Sequence, residues 1–124
     1  RVHLGNLDAV RDWGYAKEYV EAMWLMMQHP EPTDFVVATG VPCTVREFAE
    51  HCFYAVGLNA AHHIGFDPRY LRPTEVDSLI GDAGKARDLL GWTARVLPRE
   101  LAQIMVEAEL TALGRTREPF AAPR

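Results

Sequence analysis

The chain has 124 residues, a formal net charge of −4 and 24 % charged residues, a composition that suits one globular domain of the commonest size. That balance, with no Lys/Arg cluster interleaved with aromatics, excludes a nucleic-acid polymer as partner, and no run of 18 apolar residues is present to span a bilayer. Two cysteines, Cys43 and Cys52, are too few for a disulfide framework and fit a reducing, cytoplasmic setting. The sequence starts at Arg1, without Met, inside what reads as structured chain, which suggests a fragment or a processed piece.

Val2 to Ala9 reads as a strand running into a Gly5-Asn6 turn. Asp12 is a plausible N-cap for a helix over about Gly14 to Gln28. Tyr15, Tyr19, Ala22, Met23, Met26 and Met27 recur along it at helical spacing, and Val20, Trp24 and Leu25 widen the stripe, so this helix is expected to be buried on more than one side, its methionines as core. The prolines after His29 end it. Asp34 to Gly40 is a short apolar run with β-branched and aromatic residues, the pattern of a buried strand of the parallel-sheet kind, and Phe35 to Thr39 would be its body.

Thr44-Val45-Arg46-Glu47 has the form of a capping box. Val45, Phe48, Ala49, Cys52, Phe53 and Val56 then follow with amphipathic helical spacing, and Gly57 suits the left-handed stop. Asn59 to Asp67 shows no clear period. His62 and His63 within it are adjacent, which is not the spacing of a zinc or facial-triad site, so no metal is expected.

Arg72-Pro73-Thr74-Glu75 places two charged side chains on a proline-stiffened segment. A planar Arg fork suits a phosphate or carboxylate and a Glu suits an NH-rich ring edge, although an exposed ion pair accounts for the same residues. A Gly81-Asp82 turn leads to a short helix ended by Gly91, Arg95 and Val96 read as a brief extended piece, and a last helix runs from Pro98 to about Leu113. Leu101, Ile104, Met105, Ala108 and Ala112 would be its buried stripe, with Glu100, Gln103 and Glu107 facing water. The chain beyond Gly114 is polar and Pro-bearing, so 115–124 is expected to be a disordered tail after a folded 1–114.

A self-sufficient reaction centre is not legible. There is no Gly-x-Gly-x-x-Gly turn, no Walker sequence, no zincin helix, no Gly-x-Ser-x-Gly elbow, and no Tyr four residues before a Lys. Catalytic and metal-ligating residues are therefore assigned to none of the positions. What remains is a set of contacts.

Several stretches, taken in order, resemble a known family. Leu4-Gly5-Asn6-Leu7-Asp8-Ala9, Arg11-Asp12-Trp13-Gly14, Tyr19-Val20-Glu21-Ala22-Met23-Trp24-Leu25-Met26, Ala38-Thr39-Gly40, Val45-Arg46-Glu47-Phe48, Arg72-Pro73-Thr74-Glu75-Val76-Asp77, Gly81-Asp82, Lys85-Ala86 and Leu90-Gly91-Trp92 are similar to the C-terminal portion of GDP-mannose 4,6-dehydratases. The resemblance implies a helix-dominated α/β fold with one or two short strands. It would be the C-terminal substrate-binding part of an NAD(P)-binding, Rossmann-type extended short-chain dehydrogenase/reductase.

That family converts GDP-mannose to GDP-4-keto-6-deoxy-mannose with NADP, held mainly by a Rossmann half that the chain does not contain. Its catalytic Tyr, Lys, Glu and Thr/Ser would lie before Arg1. Carried over residue by residue, the resemblance implies substrate binding by Arg11, Arg72 and Glu75, Arg11 and Arg72 toward the GDP diphosphate and ribose. Val10 departs from a usual Lys beside Arg11. Leu97 replaces a small polar helix cap, at a cost of up to about 1 kcal/mol. The expected partners are GDP-mannose or GDP and either the missing Rossmann half or a second copy. A stand-alone nucleotide-sugar binding module, or part of another sugar-nucleotide dehydratase or epimerase, would show the same residues.

Overall fold

The computed structural model describes residues 1–74 and 76–115. Four helices carry most of the regular structure: α1 (Ala16–Gln28), α2 (Val45–Ala55), α3 (Gly84–Leu90) and α4 (Pro98–Ala112), with single 3-10 turns at Ala60–His62 and Pro68–Tyr70. Strand is confined to three-residue pieces: β1 (Val2–Leu4), β2 (Val10–Asp12), β3 (Pro42–Thr44) and β4 (Ile64–Phe66). β1 pairs in parallel with β4, His3 opposite Gly65, and β2 pairs antiparallel with β3, Arg11 opposite Cys43. The fold is thus helix-dominated α/β.

The predicted strand over Phe35 to Thr39 does not form. Those residues join no ladder, and at the end of the run the Thr39 and Gly40 N–H groups donate to the Asp12 carboxylate, at 2.8 and 2.9 Å. Asp12 is accordingly not the cap of α1. That position belongs to Tyr15, whose side chain makes no capping bond.

α2 follows its sequence closely. Glu47 N–H donates to Thr44 Oγ1 at 3.0 Å and Thr44 N–H donates to the Glu47 carboxylate at 2.7 Å, so both halves of the capping box are present. Thr44→Ala removes the side-chain acceptor and should cost about 1 kcal/mol. Urea denaturation should show it as a lower midpoint with unchanged slope. α2 packs against α4, where Phe48, Cys43, Leu101 and Ala102 form one core cluster and Trp13 stacks on Phe48 at 4.2 Å between ring centroids.

The predicted stripe of α4 holds only at its start. Leu101 is buried, but Met105, Ala108 and Ala112 are exposed, and Ala102 is buried in their place. In its second half Met105, Val106, Glu109 and Leu110 instead line an open cavity with Cys52 of α2.

A second cluster joins α1 to α3 through Ala22, Ala86 and Trp92, with Tyr19, Leu25, Met26, Phe35 and Val37 around it. It covers one side of α1 only. Val20, Met23, Trp24 and Met27, at i, i+3, i+4 and i+7, face solvent, Met27 being 81 % exposed. The expectation of a helix buried on several sides is corrected here, and of its methionines Met26 packs against the core whereas Met23 and Met27 do not. Most of the fully buried apolar residues are alanines, so the core is thin and an apolar face of several hundred Å² or more would be unusual on a self-sufficient monomer.

Candidate nucleotide-sugar site

β2 is the element from which the site is built. Val10 N–H donates to Asp77 O at 2.8 Å and Leu79 N–H donates to Val10 O at 3.1 Å, which straps the 76–79 segment alongside β2 as a parallel bridge between Val10 and Ser78. From the middle of β2, Arg11 turns its guanidinium across this strap. Its Nη1 donates to Val10 O at 2.7 Å and Val76 O at 2.6 Å. Two carbonyls therefore fix the plane of the cation, and a pre-oriented planar fork is what bidentate recognition of a phosphate needs.

Arg11 lines an open cavity of about 540 Å³ with Asp12, Tyr19, Val36, Leu79 and Gly81 among its other walls. The volume is in the range of small-molecule sites, and an apolar lining with a few fixed polar groups is their usual character. Burial pushes the Asp12 carboxyl up. Bonds from the Thr39 hydroxyl and from the Thr39, Gly40 and Gly81 N–H groups outweigh that and hold it below the ordinary carboxylate range. Tyr19 is pushed up by burial and by the nearby Asp12 and Glu18 charges, so its phenol stays protonated at neutral pH.

Arg72 is exposed and does not line this cavity. It sits on the segment that Val76 O ties to Arg11, and that segment is in turn pressed against the turn after β1: a Cβ on Gly5 would lie 2.5 Å from Tyr70 O. Gly5 thus serves a close backbone approach as well as a turn. Glu75, the third predicted contact, lies outside the described residues, as does the expected tail from 116 onward.

A cavity of about 570 Å³ opens elsewhere, between α2 and the 58–66 stretch. It contains none of the predicted contacts, and its cation, Arg46, is paired with Asp8 at 3.1 Å. His63 stacks on Phe53 at 5.3 Å. Among the described residues no group of three His, Cys, Asp or Glu is placed to hold a metal ion, and no helix is long and apolar enough to cross a membrane.

The glycines that come closest to a phosphate cradle are Gly81 and Gly84. Their N–H groups are already taken by the chain's own carboxylates, Gly81 by Asp12 at 3.2 Å and Gly84 by Asp82 at 2.8 Å. Neither N–H group is therefore free to meet a phosphate.

Comparison with known proteins settles the kinship. The family model described as GDP-mannose 4,6 dehydratase matches residues 1–105. The chain belongs to this family. GDP-mannose 4,6 dehydratase 1 of Arabidopsis thaliana is 50 % identical over 117 residues, covering 94 % of this chain, and the human enzyme is 48 % identical, covering 86 %. The chain spans 32 % and 33 % of the length of those two relatives.

Among solved structures, a UDP-glucose 4-epimerase of Thermotoga maritima with UDP-glucose superposes with a TM-score of 0.79 at 28 % identity, over 90 % of this chain and 35 % of that one. A dTDP-glucose 4,6-dehydratase of Bacillus anthracis with NAD gives 0.74 at 15 % identity, over 85 % of this chain and 33 % of that one, and shows the fold alone. The family member described here therefore has the architecture of NAD(P)-binding extended short-chain dehydrogenase/reductases in part.

Family resemblance singled out Arg11 but not how it is held. It also missed Asp12 as a junction. The signal was available in the Asp12, Thr39-Gly40 and Gly81 trio, where one short acceptor and two glycines sit far apart in sequence, but spacing alone does not say that they meet.

Proposed function

We propose that this chain is the sugar-nucleotide-binding portion of a GDP-mannose 4,6-dehydratase, inactive by itself. In the complete enzyme, NADP and the catalytic residues would be contributed by a Rossmann half. The observation that carries this reading is Arg11, locked by two carbonyls at the wall of an open, mostly apolar cavity, in a chain that matches the family over residues 1–105. Arg11 and Arg72 would meet the diphosphate of GDP-mannose, with Glu75 toward the same end of the ligand.

The exposed Val20, Met23, Trp24 and Met27 stripe supports a chain that is completed by a further part rather than one that works as a free module. The cytoplasm is the compartment this reading implies.

Titration of the chain with GDP in a calorimeter tests the reading. Binding is expected, and Arg11→Ala should weaken it at least tenfold, since a charge-assisted bond to phosphate contributes roughly 1.5–3 kcal/mol. Equal affinity in Arg11→Ala would remove Arg11 from the site. Incubation of the chain with NADP and GDP-mannose should give no keto-deoxy sugar, and its formation would overturn the claim of inactivity alone.

A further inference from the structure

One carboxylate at the Arg11 cavity ties Gly81 of its lining to Thr39 and Gly40, which follow its Val36–Ala38 wall. Asp12 Oδ1 accepts from Thr39 N–H at 2.8 Å and from the Thr39 hydroxyl at 2.7 Å, while Oδ2 accepts from Gly40 N–H at 2.9 Å and Gly81 N–H at 3.2 Å. These donors come from two segments that are 27 to 69 residues away along the chain. No strand ladder connects those segments to one another; the carboxylate does so instead.

Their packing shows how tightly they are drawn. A Cβ on Gly81 would lie 2.3 Å from the Cβ of Ala38 and 3.3 Å from Val36 Cγ1, and Gly40 has φ of +73°, in the left-handed region that favours glycine. Val36, Ala38 and Gly81 all line the Arg11 cavity. Asp12 also follows Arg11 directly in β2, so the strand that presents the cation is the strand whose end anchors the opposite walls.

We infer that Asp12 is a positioning residue: by holding Thr39-Gly40 and Gly81 on one carboxylate it fixes the cavity walls against Arg11, and so sets the chain's preference for a nucleoside diphosphate over the bare nucleoside. This rests on the nucleotide-binding reading above. With each oxygen receiving two donors, the Asp12 charge is compensated by the segments it holds.

Asp12→Asn is the informative substitution. The amide can keep one oxygen on Thr39, but its NH2 then faces the N–H groups of Gly40 and Gly81, donor against donor. Two readouts separate the possibilities: amide hydrogen exchange, and calorimetric titration with GDP and with guanosine. Exchange at Gly40 and Gly81 should rise at least tenfold while the amides of α2 stay unchanged. The GDP-over-guanosine affinity ratio should fall at least fivefold, whereas a merely structural role would lower both affinities alike.

Thr39→Ser, which retains the hydroxyl, should behave like the parent. Unchanged exchange at Gly40 and Gly81 in Asp12→Asn overturns the tether, and raised exchange with an unchanged ratio overturns positioning. If the parent chain binds neither GDP nor guanosine, the nucleotide reading fails and the affinity claim with it. The exchange result then decides separately whether Asp12 holds the walls.

Discussion

Glu18→Ala should lower the stability of the chain by about 3 kcal/mol, with a fall in Tm of roughly 10–20 °C for a domain of this size. Glu18 is 5 % exposed, on the inner side of α1. Its carboxylate accepts the backbone N–H groups of Arg95 at 3.1 Å and Val96 at 3.2 Å, and the Arg95 Nε at 3.1 Å. Arg95 continues to Glu21 at 2.8 Å. The 93–97 segment lies in no strand and is tied to α1 by two carboxylates, with Glu18 alone taking its backbone N–H groups.

Removing that side chain leaves two backbone donors in a partly buried place without acceptors, and an unmet donor costs more than a made bond contributes. Glu18→Gln keeps one acceptor oxygen and should lose about half as much. Chemical denaturation of the three proteins at constant slope measures the series, and an Ala variant within 0.5 kcal/mol of the parent would remove Glu18 from this role.

The pH dependence follows from the direction of the shift. Burial pushes Glu18 up, but the Val96 and Arg95 N–H groups, the Arg95 side chain and its charge outweigh this and hold the carboxyl below its ordinary range. A group depressed in the folded state contributes its stability in full above its unfolded pKa, about 4.3 for Glu, and loses it as pH falls through the folded value. The difference between parent and Glu18→Gln should be constant from neutral pH to about pH 5 and should shrink below pH 4. A difference that grew on acidification would reverse the sign of the argument.

Glu18 also shows why sequence reading reached some of the fold and not the rest. α2 was legible because all its determinants are local: a capping box within four residues, an apolar stripe, and Gly57, which has φ of +73°. Gly91 ended α3 for the same reason, at φ of +66°. The 34–40 run and the 93–97 segment were not legible, because Thr39 and Gly40 donate to Asp12, 27 and 28 residues away, and Arg95 and Val96 to Glu18, 77 and 78 residues away, and period 2 says nothing about which acceptor a strand-like segment finds.

The apolar face of α1 was misread for a different reason. A periodic pattern reports that a face is buried against something, not that the partner lies in the same 124 residues. Family resemblance singled out Arg11, while its bond to Val76 O and the Asp12 bonds to Thr39, Gly40 and Gly81 join residues far apart in sequence.

Trp92→Ala is expected to cost about 4 kcal/mol, the larger of the two effects on stability. Trp92 is 3 % exposed and sits against Ala22 and Ala86, both fully buried, with Tyr19 edge-on at 5.9 Å. Its indole N–H donates to Glu18 O at 3.0 Å, which joins the end of α3 to the first turn of α1. Alanines on the facing helices cannot extend to fill the volume an indole leaves, so the cavity term adds to the lost burial.

Trp92→Phe keeps most of the apolar area and forfeits the indole donor, for an expected loss of about 1.5–2 kcal/mol. This pair also separates stability from site. Trp92 lines a neighbouring cavity that shares Ala38 and Gly81 with that of Arg11, and its indole bonds to Glu18 O rather than to Asp12. Trp92→Phe should therefore lower the denaturation midpoint while leaving exchange at Gly40 and Gly81 relative to α2 at the parent's value, the inverse of Asp12→Asn. Coupled loss of both in Trp92→Phe would mean that the wall is held by the aromatic cluster and not by the carboxylate.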